Sequence, residues 1–265
     1  MSESMDIAFL LVTMSPVNSC PSDVADMISS IINPILENNC DTHLALVKYK
    51  SENDIRVPTV YPFTTSVSTF KNWFTTSDAP VQQHSYKGTI EILDSLRIAL
   101  DLDWRTASDD RCHEKIVFLI TDGLPCQKFV NPKIIENDDN LCACNDLWAM
   151  SDEFVKQNMT IVIIGFGSIV TICDDFYGSI AKNTGGEYIP ITNASNILCS
   201  SIQAILTQGD TLSQSLRHIK REEFEKNSSY HHSIMRNKDQ SEMKHSQIMA
   251  QQGAWLLNKL CRANL

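Results

Sequence analysis

The chain has 265 residues, 43% hydrophobic and 20% charged, enough to bury a sizeable core and to make one main domain with an appendage the expectation. The formal net charge is −10, and residues 209–265 carry 9 Lys+Arg against 6 Asp+Glu, so the tail is about +3 and residues 1–208 about −13. An acidic body argues against a nucleic-acid surface, because phosphate binding takes clustered Lys and Arg.

Met1–Ser4 has no basic region, and the apolar run Ile7–Val12 is too short for a signal segment or a bilayer span. Nine cysteines, an odd number at irregular spacing, suit reduced thiols better than a disulfide framework. The expectation is therefore a cytoplasmic, intracellular chain. In that setting the Asn-x-Ser/Thr triplets at Asn158, Asn193 and Asn227 are incidental.

In chain order, Ile7–Val12 reads as a strand buried on both faces. After the Ser15–Ser19 turn, Val24, Met27, Ile28, Ile31, Ile32 and Ile35 recur at helical spacing, which predicts an amphipathic helix over 22–38. Leu44–Lys50 alternates like a strand. Val57–Phe63 is another, which Pro58 and Pro62 confine to a sheet edge or to short pieces. Helices follow over 66–75 and 89–102, then a second central strand, Lys115–Ile120, that ends in Thr121-Asp122-Gly123. The irregular stretch Leu124–Asn145 is too long for an ordinary connection and reads as a functional loop or an insertion. A helix over 146–157, a buried strand Thr160–Gly165, a helix over 174–183 closed by Gly185-Gly186, a strand Glu187–Ile191 and a helix over 195–207 complete the body. Strands alternating with helices of this length imply an α/β fold: a doubly wound, mostly parallel six-stranded sheet with helices on both faces. Residues 1–208 form that domain. Residues 209–265, poor in glycine and proline, form a C-terminal helical tail around 209–226 and 240–261, which either packs on the body or docks on a partner.

In an open parallel sheet, ligands bind beyond the carboxyl ends of the strands. Here that crest carries the loops after Val12, Lys50, Ile120 and Phe166. Gly165-x-Gly167 lacks the third glycine of a dinucleotide fingerprint, since Val170 stands there. Cys142-x-Cys144 with Cys126 and Cys112-His113 lacks the second knuckle of a structural zinc site, and His231-His232 with His245 reads as solvated tail. No Gly-x-Ser-x-Gly nucleophile elbow occurs.

Asp6-Ile7-Ala8-Phe9-Leu10-Leu11-Val12, Ile120-Thr121-Asp122-Gly123 and Ile161–Gly165 resemble strands one, four and five of a von Willebrand factor A domain. Leu102-Asp103-Trp104-Arg105 and Thr184–Asn193 are most similar to the intracellular A domains found with alpha-kinases, and the resemblance covers about residues 5–208. No alpha-kinase domain accompanies it. The resemblance implies a metal-ion-dependent adhesion site. Its first loop supplies Asp-x-Ser/Thr-x-Ser, its second a Thr and its third an Asp, an oxygen shell for a hard cation such as Mg²⁺. Here those first-loop positions hold Val12, Met14 and Pro16, and a one-residue slip offers only the hydroxyls of Thr13 and Ser15. Thr89, preceded by Gly88, fits the second loop, and Asp122 is retained on the third. One carboxylate undercompensates a divalent ion, so no bound Mg²⁺ and no other cofactor is expected. Asp122 can equally cap its own loop through backbone N–H groups.

The reading that follows is a non-catalytic protein–protein interaction or scaffold module with a degenerate ion site. Thr13, Ser15, Thr89 and Asp122 lie on its partner-binding crest, and its partners are other proteins of an intracellular complex. No nucleic acid, membrane or small-molecule substrate is expected. The alternatives are a metal-dependent receptor holding a weak Mg²⁺ on Asp122, Ser15 and Thr89, and an enzyme acting on nucleotides at the Gly165–Ser168 turn.

Overall fold

The computed structural model describes residues 4–12, 22–38, 40–52, 55–75, 88–106, 113–125, 144–167 and 170–219. In chain order the elements are β1 (Ser4–Val12), α1 (Ser22–Glu37), β2 (Asp41–Glu52), β3 (Ile55–Thr64), α2 (Val67–Thr75), α3 (Gly88–Leu100), β4 (His113–Thr121), α4 (Cys144–Lys156), β5 (Met159–Gly165), α5 (Asp174–Asn183), β6 (Tyr188–Pro190) and α6 (Ile191–Gln208). A 3₁₀ turn, Val170–Cys173, leads into α5, and a last helix spans 212–219.

The apolar runs set the sheet. β1 is buried at every position but Leu11, and so are the six residues that end β4. Strands with no solvent face belong in the middle of a parallel sheet covered on both sides. The observed order is β3-β2-β1-β4-β5-β6, with every neighbouring pair parallel except β2 and β3. β3 is antiparallel and lies at the edge, where its Pro58 and Pro62 cost no central ladder bonds. The fold is thus α/β on a six-stranded mixed sheet, as the alternation of elements implies.

Alternate residues of the strands point to opposite faces. Ile7, Phe9, Leu46, Phe118, Ile120 and Val162 pack with α1, α6 and Phe70 of α2, and Phe9 stacks on Phe118 at 5.2 Å. The other face is covered by α3 against β1 and by α4 and α5 against β5.

The body extends past residue 208. Leu212 and Leu216 of the last helix are buried in the first of these cores, and Ser215 Oγ donates to the Ser201 carbonyl at 3.0 Å. The compact unit runs to Ile219, so the boundary read from composition falls inside it. Glycine and proline content misses this because Leu212 and Leu216, four apart on one helix face, anchor a segment that is otherwise polar. The rest of the expected tail, 220–265, lies outside the described residues.

The strands also start earlier than their apolar runs. β1, β2 and β4 open with Ser4–Asp6, Asp41–His43 and His113–Lys115, polar residues that pair in register: Asp6 with His43 on one side and with Lys115 on the other.

Candidate functional site

The strand order reverses between β1 and β4: the chain winds outward through β2 and β3, then returns to β4 and continues to β5 and β6. The carboxyl ends of β1 and β4 therefore flank the switch point, the ordinary ligand position of such sheets. Val12 and Thr121 are register partners there, and both are fully buried. Asp122 follows, half-buried.

The loops after β4 and β5 are knit together. Phe166 N–H donates to the Thr121 carbonyl at 3.1 Å, and Gly167, in the left-handed region at φ +82°, leaves 3.7 Å between Asp122 Cβ and the place its own Cβ would occupy. The N–H of Gly123 donates to Thr121 Oγ1 at 2.9 Å. Capping of that N–H, one of the roles open to the Asp122 carboxylate, thus belongs to the preceding threonine hydroxyl.

Below the loop sits a polar cluster held by α5. Tyr177 is buried and donates its phenol to the Gly123 carbonyl at 2.8 Å, so the loop that carries Asp122 is fixed from beneath. Burial, reinforced by neighbours that include Cys173 and Asp122, pushes that phenol well above its ordinary range. Cys173 is pushed up to about 12, by burial first and then by the Asp174 carboxylate. Tyr188 stacks on Tyr177 at 6.2 Å and is raised by burial and by its hydrogen bond to Asp174. At neutral pH these three groups hold their protons. They act as donors and packing surface, not as bases or thiolate nucleophiles.

Of the residues singled out in the sequence, Asp122 is the one whose surroundings the structure describes. Thr89 falls in the first turn of α3, and Thr13 and Ser15 lie outside the described residues, as does most of the Leu124–Asn145 stretch. Val12 is described and is fully buried at the end of β1. Of the thiol–imidazole group weighed for zinc, His113 opens β4, whereas Cys144 opens α4 among the neighbours of Tyr177 beyond the other end of that strand. Nine strand residues put them on the order of 25–30 Å apart, out of reach of one ion. Among the described residues, no three His, Cys, Asp or Glu side chains are placed to hold a metal ion.

At the opposite, amino end of the sheet lies a charge cluster that the sequence reading missed. Asp6 is fully buried and accepts two hydrogen bonds from Arg105, from Nε on Oδ1 at 2.7 Å and from the backbone N–H on Oδ2 at 2.9 Å, with Nη2 in ion-pair contact with Oδ1 at 2.6 Å. Arg105 also reaches Asp41 Oδ2 at 2.9 Å and the carbonyls of Met5 and Asp41. His113 Nε2 stands 3.4 Å from Asp6 Oδ2, and His43 Nδ1 stands 3.8 Å from Oδ1. Two imidazoles and a carboxylate resemble a metal-binding triad. The Arg105 guanidinium sits on Asp6 Oδ1 and its backbone N–H on Oδ2, so the group is an ion-pair network. The available signal was an isolated Asp at the head of an apolar strand, and Arg105 in the segment already quoted for its resemblance.

No family model matches the chain, and no curated protein matches it in sequence. Among solved structures it is similar to proximal thread matrix protein 1 from the mussel byssus, with 17% identity and TM-score 0.44 over 77% of this chain and 46% of that one. It thus spans under half of that protein. It is likewise similar to the SpRpn10 VWA domain, with 16% identity and TM-score 0.44 over 81% of this chain and 98% of that one.

Proposed function

We propose that the chain is a non-catalytic protein-interaction or scaffold module on a von Willebrand A-type framework, working within a larger intracellular assembly, with an ion site that has degenerated. The observation that carries this reading is Val12. It is fully buried beside Thr121 at the switch point, at the position where an adhesion site places its first-loop carboxylate. Among the described residues, a divalent cation there would meet a methyl-lined wall and the carboxylate of Asp122. A hard cation needs oxygens, and most of its charge balanced by carboxylates.

Other features agree. Burial raises Cys173, Tyr177 and Tyr188 beneath the crest, which keeps them from serving as bases or thiolate nucleophiles at neutral pH. Among the described residues no helix is long and apolar enough to cross a membrane. The −13 balance of residues 1–208 supports protein partners over nucleic acid.

Calorimetric titration of the full chain with Mg²⁺ or Mn²⁺ tests the ion half of the proposal. The expected outcome is no binding heat and no rise in melting temperature at millimolar ion, because an ion that binds only the folded state must stabilise it by mass action. A saturable heat abolished by Asp122→Ala would restore the metal-dependent receptor reading.

A further inference from the structure

Asp6 has one negative charge and three cationic or potentially cationic side chains around it. Arg105 holds it tightly. His113 faces its second oxygen at 3.4 Å with a side chain only 4% exposed, and His113 Nδ1 is 2.9 Å from Ser4 Oγ. His43 approaches from β2 at 3.8 Å and is 28% exposed. Among the described residues, the other charges facing His113 are those of Arg105 itself and of Lys115 on its own strand, both positive, with Asp41 bound to the outer side of the guanidinium. A neutral His113 is accommodated here, with the Nε2 tautomer placing its proton toward Asp6 and its Nδ1 lone pair toward the Ser4 hydroxyl. A protonated one puts a second buried cation beside a carboxylate that Arg105 already neutralises, with its added Nδ1 proton facing the Ser4 hydroxyl. Burial is the largest influence on His113 and lowers its proton affinity; the cations of Arg105 and Lys115 act in the same direction, against Asp6.

Arg105 is also the residue that ties the connection after α3 to the sheet. Its backbone N–H, its guanidinium and the neighbouring Trp104 fasten that stretch, Trp104 Nε1 donating to the Ala99 carbonyl at 2.6 Å and its ring meeting Phe63 of β3 edge-on at 4.9 Å. We propose that the amino end of the sheet is an acid-sensitive clamp, in which protonation of His113 competes with Arg105 for Asp6 and loosens residues 101–106 from β1 and β2. The device lies at the far end of the strands from the crest, and it stands or fails independently of what the crest binds.

The sign follows from linkage. A histidine whose folded-state pKa lies below its ordinary 6.5 binds its proton more readily when unfolded. Its contribution is therefore full above pH 6.5 and is lost as the pH falls through the folded-state pKa. The folded-to-unfolded ratio then drops by up to about tenfold per pH unit in that window.

The test is urea unfolding of the full chain from pH 7.5 to 5.0, wild type against His113→Gln, with NMR titration of the His113 ring and hydrogen exchange of the Arg105 amide. The glutamine can donate toward Asp6 and accept from Ser4 but cannot titrate. The expected result is a His113 midpoint below 6.5, faster Arg105 amide exchange as the ring protonates, and a loss of stability below pH 6.5 that His113→Gln lacks. A midpoint at or above 6.5, an Arg105 amide that stays equally protected, or the same acid sensitivity in the variant would overturn the clamp. Should the variant not fold, the wild-type ring midpoint and amide exchange decide the matter alone.

Discussion

Replacing Arg105 with leucine is expected to destabilise the chain by about 3–5 kcal/mol, the range for removing one partner of a buried ion pair. The Asp6 carboxylate is fully buried, accepts hydrogen bonds from Nε and the backbone N–H of Arg105, and lies in ion-pair contact with Nη2. Leucine removes the cation and leaves a buried anion that keeps the residue-105 backbone N–H at 2.9 Å but has no closer side-chain partner, among the described residues, than two imidazoles at 3.4 and 3.8 Å. The Met5 carbonyl also loses a donor. Asp6→Asn in the same background removes the orphaned charge, so the double variant should regain part of the loss. Chemical denaturation of both variants checks this. Strictly additive losses would mean that the charge pair is not what the Arg105→Leu loss measures.

Gly186→Ala should be at least as costly as the upper end of the usual overpacking range, about 3 kcal/mol, and can prevent folding altogether. An alanine Cβ there would fall 1.9 Å from the Ile161 carbonyl oxygen and 2.7 Å from its carbon. Both are backbone atoms of β5, a central strand paired with β4 and β6, so they have nowhere to move. The glycine lets the chain pass directly against the strand after α5, where Gly186 N–H closes the helix on the Ala181 carbonyl at 3.0 Å. Gly178→Ala is the control. Its added methyl meets only Tyr188 Cβ at 3.9 Å, an ordinary contact, and in a helix the change should be neutral or stabilise by about 0.5–1 kcal/mol. Equal effects of the two substitutions on melting temperature would contradict the close-approach argument.

The elements that the sequence makes legible are those whose side chains have one thing to do. Ile7–Val12, Ile116–Ile120 and Ile161–Gly165 are apolar without interruption, and a run with no solvent face can only be central. Pro58 and Pro62 confine β3 to an edge or to short pieces before any pairing is known. Gly185-Gly186 marks the end of α5, where Gly185 takes φ +83°. What composition hides is the polar half of the same strands. Asp6, His43 and His113 read as strand flanks because buried charges are costly, and the cost is met by Arg105, about a hundred residues away in sequence from Asp6. Lys48 escapes notice for the same reason. It is buried in β2 because its ammonium donates to the Trp73 carbonyl near the end of α2 and lies over the Tyr61 ring.

The crest was legible in part. Val12 and Asp122, picked out in the sequence, end β1 and follow β4 beside the switch point, with Val12 fully buried. Tyr177 was invisible, since a tyrosine on an amphipathic helix reads as core until its phenol is seen to hold the Gly123 carbonyl. Thr121 likewise reads as the last residue before a loop, and only its bond to Gly123 N–H shows it shaping the turn.

The central claim, a protein-binding module that no longer depends on a metal ion, is tested most directly by affinity capture from its native lysate. The full chain serves as bait, in parallel with millimolar Mg²⁺ and with EDTA. The account expects the same specific partner, at near-equal yield, in both conditions. A partner retained in Mg²⁺ but released by EDTA, or no partner in either, would contradict it.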